Sequence, residues 1–554
     1  MKSFRFLCLV ILLLIGQARS TTRYVSTIGD NTNPGTEAQP WATPGYGSKQ
    51  IAGGDTLIIL GGTYILSEYW EDMITPPSGS ADTLEGPHNY TFILGEQGNR
   101  PVLKGRNNLF SAVELSDKSW IWIDNLEICS DDGAFFREGV SASGQCEQIW
   151  LEDLYIHHMD EFGVDFQDIL HLTVRRCDIR YCGFGAIGGP EGEAGGWRHA
   201  SISECDLSYS GHYYQGEIGP GMGPYDRPDG LGLEPSDGPL SVLECRAEHN
   251  RGDGLDSKIK NTLVWNCIVA NNTCDGIKLW GGRSMIVNSL VYGTGDGDRT
   301  TSTPWAALVI ENTDEPDTEF YIVNTTLHQD PRKHGYMLYS QYNLPNPIKI
   351  FMTNTIVAGG SGSAYFGPSV TLNMDHCLIY REGESVQLEA NGQEYTAQDI
   401  QNGLLGSGNL SADPMFMAPA WGTEGDYRLQ AESPAVDAGT THALADNTDL
   451  DGNPRPSGQF VDMGCYEYQY PVHVDQTSES ASISPILYDP DRNRLEIQSD
   501  HPGRLIVYNL LGQTILNRDV EGSTILPVRA SSGVYIAVLD VSGNRIVQRF
   551  TVIK

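Results

Sequence analysis

Basic residues are scarce in this sequence of 554 residues, in which 36 Lys and Arg stand against 71 Asp and Glu. The resulting formal net charge of −35 at pH 7 repels phosphate backbones, so we expect no nucleic-acid partner. An acidic polysaccharide would be repelled as well, unless a metal ion or local basic residues reverse the field where it binds. Most of the excess acid agrees with solubility in a salty medium.

Long hydrophobic runs are also lacking. One apolar run occupies residues 6–15, after two basic residues, and small residues follow it at Ala18 and Ser20. This pattern predicts a signal peptide over residues 1–20, cleaved after Ser20, and export of the protein. No later run is long enough to cross a membrane, so we expect no transmembrane segment.

Cys and His spacings typical of zinc sites are absent, although all but one of the 11 cysteines follow the predicted signal peptide. Disulfides are the first expectation in an exported protein. The spacing indicates something else, because Cys245, Cys267 and Ser289 follow one another at equal intervals. We predict a ladder of small residues inside a solenoid, where cysteine behaves as a small buried hydrophobe. Whether Cys182 and Cys274 pair with other cysteines is left open.

A repeated phrase of β-forming residues, a polar pair, a small residue and then Gly or Asn runs from residue 107 to residue 380. The shortest interval between its small residues agrees with the length of one solenoid turn, and other intervals are longer. The segment 24–64 resembles the opening of exported right-handed parallel β-helix proteins. We therefore predict an all-β fold, with a right-handed parallel β-helix as the catalytic domain over 21–410 and outward loops wherever a turn exceeds the shortest interval.

The longest of these loops, between Cys205 and Cys245, is rich in aromatic residues. It carries Tyr209, His212 and Tyr213 shortly before Asp229. Two interpretations remain open here, an aromatic rim beside a sugar site and a mobile loop without a binding function.

Three short segments in the middle of the chain begin with the same Asp-Gly pair. They occupy 229–234, 253–258 and 275–280, so each follows the one before it by about one solenoid turn. In a parallel solenoid these segments stack as neighbouring strands about 4.8 Å apart. Period-two alternation then predicts apolar or small residues facing inward, and it places Asp256 and Lys278 side by side on the outer wall.

Three carboxylates and an amine would meet on this wall. Asp229, Asp253 and Asp256 are hard oxygen ligands of the kind that Ca²⁺ prefers, and a bound cation would lower the pKa of Lys278 far enough for a base. The alternative is purely structural, because Asp-Gly is common turn chemistry and stacked Asp and Lys also occur as surface ion pairs.

The Asp-Gly cluster resembles polysaccharide lyase family nine, the pectate-lyase-like parallel β-helix enzymes. Asp229 matches the family's first Asp-Gly, Asp253 and Asp256 match the last two carboxylates of its Asp-Asp-Gly-x-Asp motif, and Lys278 lies in a Gly-x-Lys-Leu-x-Gly-Gly stretch. Gly252 stands where the family has a further Asp. The resemblance implies Ca²⁺ at the three carboxylates, Lys278 as the catalytic base, and β-elimination on a pectate-like polysaccharide.

Residues beside the cluster are candidates for substrate binding. Lys258 and Arg283 can bind a carboxylate of a neighbouring sugar, and Trp280 can stack on a sugar ring. Other activities stay open, namely a β-helix hydrolase that uses the three aspartates, a C5 epimerase that begins with the same proton abstraction, and a non-catalytic surface adhesin that binds glycans.

The C-terminal part has a different composition. We assign 411–470 to closing turns and a cap of the β-helix, 471–484 to a linker rich in Ser, Thr and Glu, and 485–554 to a small β-sandwich. The last segment resembles the type A sorting domain of the type IX secretion system of Bacteroidetes, through a Leu-Leu-Gly-Gln turn at 510–513 and a Gly-Val-Tyr strand at 533–535. The resemblance implies the type IX machinery as a partner, and release or surface anchoring of a protein that we expect to be a monomer.

Overall fold

The computed structural model describes residues 20–80, 90–213, 228–295, 305–312, 315, 317–332, 335–340, 346–470, 486–489, 494–509, 514–528, 533–541 and 544–552. Of the predicted signal peptide it describes Ser20 alone. The predicted linker at 471–484 lies outside the described residues.

Short strands dominate the first part of the chain. They are β1 (Thr22–Val25), β2 (Thr56–Ile59), β3 (Thr63–Leu66), β4 (Thr91–Gly95), β5 (Val102–Gly105), β6 (Leu109–Glu114), β7 (Ser119–Asp124), β8 (Glu127–Ser130), β9 (Phe136–Glu152), β10 (Tyr155–His157), β11 (Phe162–Arg175), β12 (Asp178–Arg180), β13 (Gly185–Gly189), β14 (Trp197–Arg198), β15 (Ala200–Ser203) and β16 (Asp206–Ser208). One helix, α1 (Pro44–Gln50), begins with proline, whose fixed φ suits the first helical position.

The middle of the chain continues in the same way. Its strands are β17 (Asp229–Ser236), β18 (Leu240–Leu243), β19 (Arg246–Glu248), β20 (Leu255–Ile259), β21 (Thr262–Trp265), β22 (Ile268–Ala270), β23 (Ile277–Leu279), β24 (Met285–Val287), β25 (Leu290–Tyr292), β26 (Trp305–Ile310), β27 (Thr318–Val323), β28 (Thr326–Gln329), β29 (Gly335–Ser340), β30 (Ile348–Thr353), β31 (Ile356–Gly359), β32 (Ala364–Phe366), β33 (Val370–Asp375), β34 (Leu378–Tyr380), β35 (Val386–Ala390) and β36 (Gln393–Thr396). Helix α2 (Ala397–Gln401) follows, with a capping box between Thr396 and Asp399.

These strands coil into a parallel β-helix. A 24-stranded sheet supplies two of the three sides of each turn, and a 12-stranded sheet supplies the third. One turn, for example, consists of β20, β21 and β22, and each of them pairs in parallel with its counterpart in the next turn. The predicted all-β parallel β-helix is confirmed. We call one side of the 24-stranded sheet the front face, the other side the second face, and the 12-stranded sheet the back face. The front face consists of β6, the first parts of β9 and β11, and β13, β17, β20, β23, β26, β29, β32 and β35, whereas the last parts of β9 and β11 belong to the second face.

The interior is filled by residues that stack from turn to turn. On the front face Leu231 pairs with Leu255, which pairs with Ile277, and all three are at most 2% exposed. Ser257 is buried in the same way between two leucines of the next inward column. The alternation of inward and outward side chains follows from the period of two in a strand.

The small-residue ladder lies at the corner where the second face meets the back face. The N–H of Cys177 donates to Cys205 Sγ at 3.4 Å, and the N–H of Cys267 donates to Ser289 Oγ at 3.1 Å. All ten cysteines of the described residues are buried, and none of them forms a disulfide. Cys182 and Cys274, whose pairing the sequence left open, are among these ten.

Residues 411–470 pack against the back face. Strands β37 (Phe416–Ala418) and β38 (Asp426–Leu429) form a hairpin. The ring centroid of Tyr427 lies 4.7 Å from that of Tyr292, and the two rings share a second hydrophobic core with apolar residues from several turns of the back face. Assignment of the segment as the cap of the β-helix stays a prediction.

His328 on the back face is buried beneath this segment, at 7% exposure, against the rings of Phe416, Trp421 and Tyr427. Burial lowers its pKa from 6.5 to about 4, against the opposing effect of Asp330. The unfolded chain then binds a proton at a higher pH than the folded one. The stabilisation by the neutral imidazole is complete above pH 6.5 and is lost as the pH falls towards 4.

We therefore expect acid to destabilise the wild-type protein more than the variant His328→Gln. Between pH 7 and pH 4.5 the extra loss in free energy of unfolding should be about 2 to 3 kcal/mol. Urea unfolding followed by tryptophan fluorescence at both pH values measures it. Comparing the pH-dependent change in free energy of unfolding between the two proteins cancels the effect of the substitution on packing and the contribution of every other titrating group. An equal change in the two proteins would contradict a lowered pKa of His328.

The C-terminal strands form a separate antiparallel sheet. It consists of β39 (Ile486–Asp489), β40 (Arg494–Asn509), β41 (Thr514–Pro527), β42 (Gly533–Val541) and β43 (Asn544–Val552), with its own hydrophobic core. A C-terminal β-domain is thus present, and its five strands belong to one sheet. The predicted turn at 510–513 lies outside the described residues. No helix among the described residues is long and apolar enough to cross a membrane.

Candidate active site on the front face

Lys278 and Asp256 are paired neighbours on strands β23 and β20 of the front face. Lys278 Nζ lies 2.8 Å from Asp256 Oδ2 and 2.9 Å from Asp253 Oδ2. The lysine side chain is 15% exposed, whereas the two aspartates are 7% and 3% exposed. The amine therefore lies at the edge of the solvent, and the carboxylates that hold it lie beneath it.

The aspartates of the three Asp-Gly pairs form a ladder of their own. Asp229 Oδ1 accepts the N–H of Asp253 at 2.6 Å, and Asp253 Oδ1 accepts the N–H of Asp275 at 2.9 Å. Asp275 Oδ1 in turn accepts the N–H of Ala306 at 2.7 Å. Each carboxylate thus holds the beginning of the next strand, and the second oxygen of Asp253 is held towards Lys278.

The glycine of each pair permits a close approach of backbone to interior. A Cβ on Gly254 would lie 2.3 Å from Val269 Cγ1, and one on Gly276 would lie 2.4 Å from the carbonyl oxygen of Ala307. Larger residues at these positions would push the beginning of the strand outward. The Asp-Gly repeat is therefore structural as well as a source of carboxylates.

Two buried asparagines hold the turns that precede the site. Asn250 Nδ2 donates to the carbonyl of Leu207 and to Asn272 Oδ1, both at 3.0 Å, and Asn272 Nδ2 donates to the carbonyl of Ala247 at 2.9 Å. Sequence reasoning missed this pair. Its signal was available, because the two asparagines lie one turn apart and each stands shortly before an Asp-Gly pair, at the same distance from it.

The carboxylates fit a hard cation. Ligand oxygens of Asp229, Asp253 and Asp256 all lie within 4.8 Å of one another. Asp256 Oδ1 is buried and has no hydrogen-bond partner, so it is an oxygen that a cation would satisfy. Gly252 uses only its backbone, donating to the carbonyl of Pro228 at 3.0 Å, and adds no ligand side chain.

The pKa shifts of the site residues reflect the close packing of several carboxylates around one lysine. Burial, together with Asp253 and Asp256, raises the pKa of Asp229 well above its ordinary value. Burial also raises the pKa of Asp256, although Lys278 opposes this. Burial lowers the pKa of Lys278, but Asp253 and Asp256 outweigh it and hold the pKa above its ordinary value, so the amine of the protein alone is an ammonium at neutral pH.

A cleft of about 210 Å³ opens beside Lys278, and Asp229, Asp253, Asp256 and Lys258 also line it. Phe162, Phe184, Gly185 and Ile187, from preceding turns, line it as well. Lys258 stands at the rim, where its Nζ lies 2.5 Å from Glu234 Oε1 and 3.7 Å from Asp256 Oδ2.

A second cleft, of about 160 Å³, shares Lys258 with the first and has Trp280 in its wall. The Nζ atoms of Lys258 and Lys278 lie 5.7 and 5.4 Å from the centroid of the Trp280 ring, within reach of a cation–π contact. Arg283 lines neither cleft. Its side chain is 64% exposed and lies 3.4 Å from Glu315 Oε2.

The aromatic residues before Asp229 stack along the corner where the back face meets the front face. The ring centroid of Tyr209 lies 5.0 Å from that of Tyr181 and 5.1 Å from that of His249, and Tyr213 bonds to Ser130 through its hydroxyl at 3.0 Å. The rest of this loop, 214–227, lies outside the described residues.

Fold and site together define a parallel β-helix protein with a cluster of carboxylates and lysine on one outer face. Among solved structures, XylC in complex with xylose is similar at a TM-score of 0.51 and 10% identity, over 80% of this chain and 98% of that one. Pectate lyase Pel9A is similar at a TM-score of 0.41 and 16% identity, over 82% of this chain and 97% of that one. The A-module of the mannuronan C-5 epimerase AlgE6 of Azotobacter vinelandii is similar at a TM-score of 0.42 and 13% identity, over 65% of this chain and 92% of that one.

At this identity the likeness to XylC shows a shared fold. No protein-family model and no curated protein sequence matches the chain.

Proposed function

We propose that the protein is a polysaccharide lyase that cleaves a uronic-acid-containing, pectate-like polysaccharide by Ca²⁺-assisted β-elimination, with Lys278 as the base. One observation carries the proposal. Lys278 Nζ lies within 2.9 Å of two buried carboxylates, beside a third carboxylate and an open cleft.

Asp229, Asp253 and Asp256 would hold the cation. When bound, Ca²⁺ supplies positive charge that stabilises the negative charge developing on the uronate as its C5 proton leaves. The three ligands come from two adjacent turns, and the hydrogen bond from the Asp253 N–H to Asp229 ties these turns together at 2.6 Å. The chain thus orders its ligand oxygens without help from the ion.

Lys278 would accept the C5 proton at Nζ. The C5–H electron pair then forms the C4–C5 double bond, the bond from C4 to the O4 substituent breaks, and the leaving oxygen takes a proton from water. Only a neutral amine can accept the proton, whereas Asp253 and Asp256 alone keep Lys278 protonated. A divalent cation held by these carboxylates would offset their charge, and nearby positive charge would disfavour the ammonium form of Lys278.

Lys258 and Trp280 would bind the neighbouring sugar. Lys258 lines both clefts, so its ammonium can meet a substrate carboxylate from either side. Trp280 forms a wall of the second cleft. Arg283 lines neither cleft, but its guanidinium lies 3.4 Å from Glu315, which lines the second cleft, so Arg283 would bind a carboxylate of a more distant sugar.

The spacing of the carboxylates argues against inverting hydrolysis. An inverting pair of carboxyl groups stands about 6.5 to 9.5 Å apart to admit a water molecule. Here the carboxylate oxygens lie within 4.8 Å of one another, and Lys278 bridges two of them.

Incubation of the purified protein with pectate, alginate and a glycosaminoglycan, with Ca²⁺ and with a chelator, tests the proposal. We expect ultraviolet absorbance of an unsaturated uronate to rise with at least one substrate, and the chelator to abolish it. New reducing ends without absorbance would indicate a hydrolase instead. An inverted C5 configuration in intact chains would indicate an epimerase, and binding without any reaction would indicate an adhesin.

We also propose that the protein is exported through the signal peptide and then by the type IX machinery, with the C-terminal sheet as the sorting domain. The support is the leader pattern at 1–20 and the two motifs at 510–513 and 533–535. Mass spectrometry of the exported protein tests this, because its first residue should be Thr21 and residues 485–554 should be missing.

A further inference from the structure

Three tyrosines cluster on the front face beyond Lys278. The ring centroids of Tyr339 and Tyr365 lie 5.4 Å apart, with 19° between the ring planes. The ring of Tyr336 lies 5.2 Å from Tyr339 and 5.8 Å from Tyr365, inclined to both. All three residues are partly exposed, so the cluster presents an aromatic surface rather than a buried core.

The register of the front face connects this surface with the site. Asp256 pairs with Lys278, Lys278 with Val309, Val309 with Tyr339, and Tyr339 with Tyr365. Neighbouring strands are about 4.8 Å apart, so Tyr339 and Tyr365 stand about 10 and 14 Å from Lys278 along one row. Paired residues of parallel strands point to the same side, and these tyrosines therefore share the outer wall with Lys278.

The interior does not need these rings. Met337 and Leu338 on β29, and Ala364 and Phe366 on β32, are at most 1% exposed and fill the core of these two turns. The tyrosines occupy the outward positions, where a polar residue would suffice for the fold. Stacked rings on an outer wall offer a large apolar surface that a ligand can cover.

Flat aromatic faces suit pyranose rings. The C–H face of a sugar packs on an aromatic ring by dispersion and by burial of apolar surface. Such contacts do not depend on the charge of the sugar. They complement the site at Lys278, which makes its contacts through ions.

We propose that Tyr336, Tyr339 and Tyr365 form a sugar-stacking platform, and that the polysaccharide runs across the strands of the front face from Lys278 towards the C-terminal turns. The inference rests on the proposed function for its substrate class. It adds the direction in which the polysaccharide lies and the residues that hold it away from the reacting bond.

A stacked pair elsewhere on the β-helix offers a matched control. The rings of Tyr321 and Phe351 on the second face lie 5.1 Å apart with 14° between their planes. These two residues pair on β27 and β30, outside the row of Lys278. Removing them deletes a similar aromatic stack without touching the front face.

The test compares two double variants. The platform pair carries Tyr339→Ala and Tyr365→Ala, and the control pair carries Tyr321→Ala and Phe351→Ala. Both double variants are made in the full-length protein. Each is also combined with Lys278→Met, so that binding can be measured without cleavage of the glycan. Affinity electrophoresis in gels containing pectate, alginate or a glycosaminoglycan gives Kd, and circular dichroism checks the fold. We expect Kd to rise about tenfold for the platform pair and to stay unchanged for the control pair.

In the active protein the platform pair should raise KM by a similar factor and leave kcat unchanged, since the reacting bond is not touched. Tyr339→Phe should bind like the wild type, because the ring face carries the contact. An unchanged Kd in a folded platform variant overturns the platform even if the protein is a lyase, and so does a failure of all three glycans to bind. Weakened binding in a protein that cleaves none of them upholds the platform and overturns the lyase proposal.

Discussion

Lys278→Met is expected to lower kcat for the release of unsaturated uronate by about 10²- to 10⁴-fold, the range for loss of a positioned proton acceptor. Methionine keeps the length and apolar stem of lysine and removes only the amine. The other amine that lines the cleft, on Lys258, is held by Glu234 at 2.5 Å. Absorbance of the product under saturating substrate measures the effect.

The variant Lys278→Arg distinguishes a role of Lys278 as proton acceptor from a role of its positive charge. A guanidinium keeps the positive charge between Asp253 and Asp256 but does not give up its proton in proteins, so this variant should be as inactive as Lys278→Met. Lys349→Met is the control, because Lys349 also pairs with a carboxylate, 3.4 Å from Glu319, but on the second face. Activity within a few-fold of wild type in either Lys278 variant would refute the role of the lysine as base.

Asp256→Asn is expected to weaken Ca²⁺ binding by about 10- to 100-fold and to remove most of the activity at low Ca²⁺. The change deletes one of three negative ligands and converts the unsatisfied Oδ1 oxygen into part of a neutral amide. Lys278 keeps its contact with Asp253 at 2.9 Å, so the strand pairing should survive. Isothermal titration with Ca²⁺ measures the affinity independently of turnover.

Raising the Ca²⁺ concentration should restore part of the activity of Asp256→Asn but none of that of Lys278→Met. Asp132→Asn is the control, since Asp132 is an exposed carboxylate, 90% accessible, that pairs with Lys104 away from the site. If Asp256→Asn bound Ca²⁺ like the wild type, the three aspartates would not be the metal ligands. The Asp253–Lys278–Asp256 contacts would then be a structural ion cluster.

The repeats in the sequence were enough to predict most of the fold. In a parallel β-helix each strand pairs with its counterpart one turn later, so an Asp-Gly pair that recurs once per turn is enough to align Asp256 with Lys278. The small-residue ladder followed from the same logic, since Cys245, Cys267 and Ser289 are evenly spaced and stack at one corner. Local periodicity predicts such features because their partners lie only one turn away.

Other features escaped the pattern because they depend on loop geometry or on contacts over long sequence distances. Arg283 lies close to Lys278 in sequence, yet its side chain lines neither cleft and instead contacts Glu315, which lies 32 residues further along the chain. The fold-back of 411–470 brings Tyr427 onto Tyr292, although the last turns of the β-helix separate the two in sequence. The tyrosine platform is equally remote, since its relation to Lys278 appears only when the pairing through Val309 is known.

Sequence alone determined the coil of strands, the register of its Asp-Gly turns and the types of side chain on the outer wall, because hydrophobic alternation and repeat length are local properties. Tertiary structure decided the ionisation of that wall. Whether Lys278 is ammonium or amine depends on its own burial and on its distances to Asp253 and Asp256, and both are set by the stacking of neighbouring turns. A charge taken out of water responds to every neighbour within a few ångströms, and only the folded chain supplies those neighbours.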